Sequence, residues 1–237
     1  MVPQLPAPDN AAFLLDIDGT LLDFASTPTA VQVPSGLRET LVQLKGRVGG
    51  ALALISGRPV EQAVELFGDV PQAIAGEHGG AVRSSPAAPV TRLPLPEPPS
   101  EWLVEAEGVA RAHPGSLLEH KANGFVVHYR RAPDAGQAIG VLLAELIGRD
   151  GRFELMPAQM AWEVRPHGAD KGQALQAIMS YHPFSGRLPV FVGDDATDLD
   201  AVRAARAIGG IGLMVADTFG APAEVRAWLT GLAAQGW

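Results

Sequence analysis

The chain has 237 residues, of which 47% are hydrophobic and 19% charged, with a formal net charge of −8 and no cysteine. This composition predicts a globular protein with a packed core, built as one large domain or two unequal ones. The negative charge argues against a general role on nucleic acid or anionic membranes, and the lack of cysteine excludes disulfides and thiolate metal sites. An anionic ligand would therefore need a metal ion or a few well-placed Lys and Arg side chains.

The first ten residues contain three prolines, no basic residue and no apolar segment of the kind found in signal peptides. Elsewhere, no run approaches the roughly 20 apolar residues of a transmembrane helix. We therefore expect a cytoplasmic protein.

The first predicted strand is a short apolar run, Ala11 to Leu15, that ends in Asp16-Ile17-Asp18-Gly19-Thr20. A buried strand of this kind delivers polar side chains to the carboxyl edge of a sheet, where α/β proteins bind ligands. In extended geometry Asp16 and Asp18 point the same way, so one could act on a substrate while the other handles its protons. Alone, the motif also fits a strand followed by a solvated Asp-Gly turn.

Three more polar motifs follow along the chain. A second apolar run, Gly50 to Ile55, ends in Ser56-Gly57-Arg58, where a helix starts and its free amides would favour an anion. Lys171 opens a later helix, and the apolar run Leu188 to Val192 ends in the acidic cluster 194–198. Strands that alternate with helices predict a parallel sheet covered on both faces.

The middle of the chain has a different pattern. Residues 84–100 contain six prolines and almost no periodicity, which indicates a crossing segment. The order after it is a helix, two strands, a helix and two strands, and the connections are too short for parallel crossovers. We predict an α/β core, residues 1–83 and 166–237, with a smaller antiparallel α+β domain, residues 84–165, inserted into it.

Two carboxylates, a hydroxyl, a lysine and an acidic cluster in this order resemble the four motifs of the haloacid dehalogenase superfamily of phosphohydrolases. The resemblance implies a Rossmann-like core with a parallel sheet and identifies the inserted αββαββ unit as a cap of the C2B type. It also implies a role for each motif. Asp16 would attack phosphorus to form an aspartyl-phosphate, Asp18 would act as general acid and base, and Ser56 and Lys171 would hold the transferring group.

The same resemblance implies Mg²⁺ bound by Asp16, Asp194 and the backbone carbonyl of Asp18. The residues expected around this inner set are Asp195, Asp198 and Thr20, where they would orient waters, Lys171 or the metal. Taken singly, Ser56 could be a helix N-cap, Lys171 a solvated helix start, and the acidic cluster a loop. Arg58 and Thr197 are helpers without an assigned step.

A hairpin in the inserted domain is the second informative feature. Asn123-Gly124 predicts a two-residue type I′ turn, which would place Lys121 opposite Val126 and Glu119 opposite His128. This register predicts an apolar face against the helices and a polar face with Glu119, Lys121, His128 and Arg130. Such a face suits a phosphorylated polyhydroxyl ligand, but it also fits a solvated sheet face with cross-strand ion pairs.

Five short motifs narrow the resemblance to the trehalose-6-phosphate phosphatases: Glu77-His78-Gly79, Glu119-x-Lys121, His128-Tyr129-Arg130, Glu163-x-Arg165-Pro166 and Lys171-Gly172. This resemblance implies a phosphorylated disaccharide as substrate, with Glu119, Lys121 and Glu163 as sugar contacts and His78, His128 and Arg130 as further candidates. His78 could equally be a turn residue.

One motif departs from the family. The family usually continues its last motif as Asp-Glu, whereas this chain has Asp198-Leu199-Asp200. Phosphatases of sucrose phosphate, mannosyl-phosphoglycerate or hexose phosphates therefore stay open as alternatives. A phosphosugar mutase would need a cap that excludes water. A catalytically silent sugar-phosphate sensor is disfavoured because Asp16 and Asp18 are both present.

Overall fold

The computed structural model describes residues 2–25, 30–148, 150–235 and 237. The chain divides into two compact units, which we call the core unit, Met1–Leu93 with Ala169–Trp237, and the inserted unit, Pro94–Gly168. Both boundaries lie further along the chain than the expected ones after residues 83 and 165. The first differs because a short strand at residues 91–92 pairs into the sheet of the core unit.

The elements are numbered along the chain. The strands are β1 Ala11–Leu15, β2 Leu52–Ile55, β3 Ala73–Gly76, β4 Ala81–Arg83, β5 Thr91–Arg92, β6 Leu117–His120, β7 Phe125–His128, β8 Phe153–Ala158, β9 Ala161–Pro166, β10 Leu188–Gly193 and β11 Ile211–Met214. The helices are α1 Leu37–Arg47, α2 Val60–Phe67, α3 Ser100–Ala112, α4 Gly136–Ile147, α5 Lys171–Met179, α6 Asp198–Ala207, α7 Val215–Thr218 and α8 Pro222–Gln235. Among the described residues, none of these helices combines the length and apolarity needed to cross a membrane.

The core unit contains a sheet with the strand order β11-β10-β1-β2-β3-β4-β5. The five strands from β11 to β3 are parallel, as the sequence predicts, and every residue of β1 and β2 is buried. Such continuous apolar runs are typical of strands covered on both faces. The antiparallel strands β4 and β5, at one end of the sheet, were not predicted, because they are short and β5 lies in the proline-rich segment.

This topology positions the polar motifs. Strands β10, β1 and β2 are neighbours and parallel, so their carboxyl ends meet at one edge of the sheet. Asp194, Asp16 and Ser56 directly follow these three strands. The edge of the sheet therefore gathers motifs that are far apart in the sequence.

The inserted unit has its own sheet, with the antiparallel order β6-β7-β9-β8. Helices α3 and α4 contribute Trp102, Ile139 and Leu143 to a hydrophobic core that also contains Phe125 and Val164 of the sheet. The element order is the predicted αββαββ. The two faces of the sheet are therefore unlike: one packs on the helices, and the other carries polar residues.

The β6–β7 hairpin differs from its predicted register. Glu119 lies opposite Val126, and the amide of Lys121 donates to the carbonyl of Gly124 at 3.0 Å. The loop therefore contains the four residues 121–124, and the predicted two-residue turn is wrong. Each partner is shifted by two positions, and a shift of two leaves every side chain on its original face because strands have a period of two.

Candidate active site

Lys171 and two carboxylates form a buried ionic network at the carboxyl edge of the core sheet. The Nζ atom of Lys171 lies 2.7 Å from Oδ1 of Asp16 and 2.7 Å from Oδ1 of Asp198. The side chains of Lys171 and Asp16 are each 3% exposed, and that of Asp198 is 0% exposed. Lys171 is therefore not a solvated helix start. Removing Lys171 from this network would leave two buried carboxylates without their cation.

The acidic loop between β10 and α6 is held by its own side chains. Oδ2 of Asp198 accepts from the amides of Asp194 at 3.0 Å and Asp195 at 3.1 Å. Oδ1 of Asp195 accepts from the amide of Thr197 at 2.8 Å and from its hydroxyl at 2.7 Å. Asp195 and Asp198 thus fix the main chain around Asp194. This arrangement gives Thr197, which had no assigned step, a structural role at the start of α6.

The carboxylate oxygens of Asp16, Asp194 and Asp198 could hold a metal ion, since they lie within 4.8 Å of one another. Both oxygens of Asp198 already accept hydrogen bonds from Lys171 and the loop amides, which leaves Asp16 and Asp194 as the better carboxylate ligands. A Cβ at Gly19 would lie 2.0 Å from Oδ2 of Asp194, so glycine permits the backbone next to Asp18 to approach the cluster. These hard oxygen donors fit Mg²⁺.

The electrostatics of the cluster also favour a cation. Burial raises the pKa of Asp16 well above its ordinary value, and Asp198 adds to the rise, although Lys171 opposes it. Burial, followed by Asp195 and Asp198, raises the pKa of Asp194 to about 7. Burial also acts to raise the pKa of Asp195, but Lys171 and the Thr197 hydrogen bond outweigh it and the pKa is lowered. Further positive charge would let all these carboxylates ionise.

Asp18 is held by a different cation. Nε of Arg58 lies 2.5 Å from Oδ2 of Asp18, and Nη2 lies 2.6 Å from Oδ1. Such two-point bonding is the strongest and most directional form of a carboxylate ion pair. Sequence reasoning left Arg58 without a role. The position of Arg58 immediately after Ser56-Gly57 was the sequence feature that could have linked it to the site.

The two buried hydroxyl groups of the predicted site have different environments. Ser56 is 1% exposed, and its Oγ accepts from the amide of Arg58 at 3.1 Å. Helix α2 begins at Val60 with Pro59 as its N-cap, so the alternative that Ser56 caps this helix is wrong. Thr20 is fully buried, and its Oγ1 has no hydrogen-bond partner among the described residues.

His78 lies in the core unit beside the Ser56–Arg58 loop. It is 7% exposed, and its amide donates to the carbonyl of Ser56 at 3.0 Å. A Cβ added to Gly57 would lie 2.7 Å from the imidazole ring. His78 is therefore a turn residue, and contact with a substrate stays a prediction.

The polar face of the inserted sheet contains three ion pairs. Lys121 Nζ lies 2.6 Å from Glu163 Oε1, and His128 Nε2 lies 2.7 Å from Glu119 Oε2. The third joins Arg165 to Glu154 at 2.8 Å. Glu163 and Arg165 are buried, so the face is not an ordinary solvated one. The remaining candidate, Arg130, donates to the carbonyl of Gln159 at 3.4 Å.

Glu119 is ionised on this face. Burial acts to raise its pKa, but the hydrogen bond from His128 and the charge of Lys121 outweigh burial, and the pKa is lowered. A charged acceptor held beside donors suits sugar hydroxyl groups.

The motif that departs from the resemblance lies outside the buried network. Leu199 is 40% exposed on α6, and Asp200 forms an ion pair with Arg203 one turn further along this helix. Asp198, in contrast, is fully buried. The difference from the family motif at Leu199-Asp200 therefore leaves the ionic network of Lys171, Asp16 and Asp198 intact.

Comparison with known proteins agrees with this geometry. A family model described as trehalose-phosphatase matches residues 14–221. The chain is 37% identical over 208 residues to a probable trehalose-phosphate phosphatase of Sinorhizobium fredii, covering 87% of this chain and 78% of the relative. It is 33% identical over 214 residues to the trehalose-6-phosphate phosphatase of Escherichia coli, covering 90% and 79%.

A solved structure shares the fold. The C-terminal domain of the Candida albicans trehalose-6-phosphate phosphatase superposes with a TM-score of 0.76 at 22% identity, covering 95% of this chain and 92% of that domain. The family and the fold class that the motif order predicted are both confirmed.

Proposed function

This chain belongs to the trehalose-phosphatase family, and we propose that it is a phosphoric monoester hydrolase that converts trehalose 6-phosphate to trehalose and inorganic phosphate. The buried network of Lys171 with Asp16 and Asp198, next to Asp194, carries this proposal. It supplies a carboxylate nucleophile and a fixed positive charge at one point. Both are needed because a phosphate dianion repels nucleophiles.

The reaction proceeds in two displacements. An oxygen of Asp16 bonds to phosphorus as the bond from phosphorus to the sugar oxygen breaks, and protonated Asp18 gives its proton to that oxygen. Water then attacks the aspartyl-phosphate, Asp18 takes a proton from the water, and phosphate leaves with Asp16 restored. Ser56 donates a hydrogen bond to the transferring group, and Lys171 stabilises it by charge.

The metal assignment rests on the donor chemistry of the cluster. Asp16, Asp194 and the backbone carbonyl of Asp18 would hold Mg²⁺, which would neutralise charge on the phosphoryl oxygens. Asp195 and Asp198 hold the loop that carries Asp194, and Lys171 also binds Asp198. Thr20, the last residue of the first motif, would use its buried hydroxyl group to orient waters or the metal.

Sugar recognition is assigned to the polar face of the inserted sheet. Glu119, Lys121 and Glu163 would bind hydroxyl groups of the disaccharide. The further candidates are His128 and Arg130 of the inserted unit and His78 of the core unit. The Lys121–Glu163 and Arg165–Glu154 ion pairs and the hydrogen bond between His128 and Glu119 support the assignment, because each presents a donor and an acceptor to sugar hydroxyl groups.

A panel of phosphorylated sugars tests the proposal, with release of inorganic phosphate as the readout. Trehalose 6-phosphate should give the highest kcat/KM, above sucrose, mannosyl and hexose phosphates. A preference for another sugar phosphate would replace the substrate assignment, and no release from any member would favour a silent sensor. The cytoplasmic location and the absence of nucleic-acid and membrane partners stay predictions from composition.

A further inference from the structure

The turn between β3 and β4 has a costly backbone conformation. Glu77, His78 and Gly79 are consecutive residues with φ of +54°, +56° and +104°. Positive φ is uncommon for residues other than glycine. Such strain persists where the surroundings over-determine it, and it concentrates at functional sites. The contacts of this turn therefore indicate what it does.

On one side the turn binds the loop that carries Ser56. The amide of Glu77 donates to the carbonyl of Arg58 at 2.9 Å, and the amide of His78 donates to the carbonyl of Ser56 at 3.0 Å. The ring of His78 lies so close to Gly57 that a Cβ there would be 2.7 Å from it. The turn thus binds two main-chain carbonyls of this loop and packs against the residue between them.

On the other side the turn packs against the start of α5. A Cβ at Gly79 would lie 2.9 Å from the carbonyl oxygen of Asp170 and 3.0 Å from Cβ of Ala174. Asp170 is the N-cap of α5, and Lys171 is the first residue of that helix. One strained turn is therefore in contact with the segments that carry both proposed phosphate-holding residues, Ser56 and Lys171.

Arg92 forms ion pairs with this turn and with α2. Its Nη1 lies 2.5 Å from Oε1 of Glu77, and its Nη2 lies 2.8 Å from Oε1 of Glu61. Glu61 is in the first turn of α2, the helix that follows the Ser56 loop. The Glu77 side chain is 10% exposed and that of Arg92 is 38% exposed, so water reaches this ion pair mainly from the arginine side. A single guanidinium thus ties the strained turn to α2.

We propose that Arg92 is a positioning residue for the hydrolytic reaction, which it serves by clamping Glu77 so that the 77–79 turn holds Ser56 and Lys171 in place. The inference rests on the proposed function, because that function assigns these two residues to the transferring phosphoryl group. Arg92 acts through the turn. It should affect every phosphate ester to a similar extent, whatever the leaving group.

The first test compares Arg92→Ala with the wild-type protein on trehalose 6-phosphate and on a small aryl phosphate, and measures competitive inhibition by inorganic phosphate. We expect kcat/KM to fall about ten-fold or more on both esters, with weaker phosphate inhibition, because small displacements of binding groups are costly. Arg92→Lys should recover part of the loss. Arg203→Ala, which removes an exposed ion pair of the core unit, is the matched control and should change neither quantity.

A double-mutant cycle with Ser56→Ala separates positioning from general stabilisation. If Arg92 acts through the Ser56 loop, Arg92→Ala should cost much less in the Ser56→Ala background than in the wild type. Full additivity, unchanged kinetics of Arg92→Ala, or a loss that only follows the folded fraction measured by circular dichroism would overturn the proposal.

Failure of the proposed function can be distinguished from failure of the Arg92 positioning role. If the wild-type protein releases no phosphate from any ester, titration calorimetry with inorganic phosphate still compares Arg92→Ala, Arg92→Lys and Arg203→Ala. Weaker phosphate binding only in the Arg92 variants, with the lysine variant the less affected, would support the positioning role. Equal binding by all three would overturn it. Should Arg92→Ala not fold, Arg92→Lys and Glu77→Gln carry the same comparison.

Discussion

Asp16 and Asp18 are separated by one residue, yet each carboxylate is bound by a different cation. Asp16 accepts from Lys171 at 2.7 Å, whereas Asp18 accepts from Arg58 through two bonds of 2.5 and 2.6 Å. The two carboxylates therefore occupy distinct electrostatic environments. The proposed nucleophile and the proposed acid–base group are thus held in place by separate contacts.

The acid–base role of Asp18 predicts a dependence on the leaving group. Asp18→Asn should reduce kcat severely on trehalose 6-phosphate, since a sugar alkoxide leaves poorly without a proton. The reduction should be much smaller on an activated aryl phosphate, whose leaving group needs little protonation. Steady-state phosphate release on both esters checks this, with the exposed Asp217→Asn as the control. Equal losses on the two esters would argue against the role.

The oxygen-rich cluster predicts dependence on Mg²⁺. Exhaustive chelation should silence the enzyme and added Mg²⁺ should restore it, because Asp16 and Asp194 offer hard oxygen ligands. The chain has no cysteine, and the metal-ligand cluster found among the described residues contains no histidine. Phosphate release before and after chelation provides the measurement. Full activity in the chelated protein would contradict the assignment.

The pKa of Asp194 predicts how the metal-free protein responds to pH. This pKa is raised to about 7 from an ordinary 3.8. Below the ordinary value both the folded and unfolded states hold the proton, and between the two values only the folded state does. The stability that this protonated group contributes to the folded state is therefore lost progressively as pH rises from 3.8 to about 7.

Melting temperatures with and without Mg²⁺ check this linkage. The stabilisation by Mg²⁺ should be larger at about pH 8 than at about pH 6, because at the lower pH protons compete for Asp194. In Asp194→Asn, the Mg²⁺ stabilisation should differ much less between these two pH values. An equal Mg²⁺ effect at both pH values would count against Asp194 as a ligand.

The sugar site predicts losses that depend on the substrate. Glu119→Ala, Lys121→Ala or Glu163→Ala should lower kcat/KM on trehalose 6-phosphate about ten-fold or more, because each leaves polar partners unsatisfied. A small aryl phosphate, which needs only the core residues, should be affected much less. Glu145→Ala, which removes an exposed carboxylate of α4, is the control. Parallel losses on both esters would place these residues in folding of the inserted unit, and no loss would remove them from the site.

Much of this architecture could be predicted because it depends on local pattern. The short apolar run Ala11–Leu15 predicted a buried strand, and parallel neighbours bring Asp16, Ser56 and Asp194 to one edge. The bidentate bond between Arg58 and Asp18 joins residues 40 positions apart, so periodicity could not show it. The strand Thr91–Arg92 was missed because two residues among prolines carry no alternation.

The hairpin error has a different physical origin. Asn123-Gly124 favours a tight turn locally, but β7 is also paired with β9, where Val126 faces Glu163. The pairing of Lys121 with Glu163 stabilises the four-residue loop. Contacts outside the hairpin therefore override the local preference. The face assignment was still correct because the shift was an even number of residues.

The proposal makes Asp16 the nucleophile of a trehalose-6-phosphate phosphatase. A single assay tests this role: phosphate release from trehalose 6-phosphate, measured for the wild-type protein and for Asp16→Asn. Asparagine keeps the volume and can still accept from Lys171, so the variant should stay folded by circular dichroism. The wild type should release phosphate rapidly, and the folded variant should release none above background. Phosphate release by folded Asp16→Asn at the wild-type rate would contradict it.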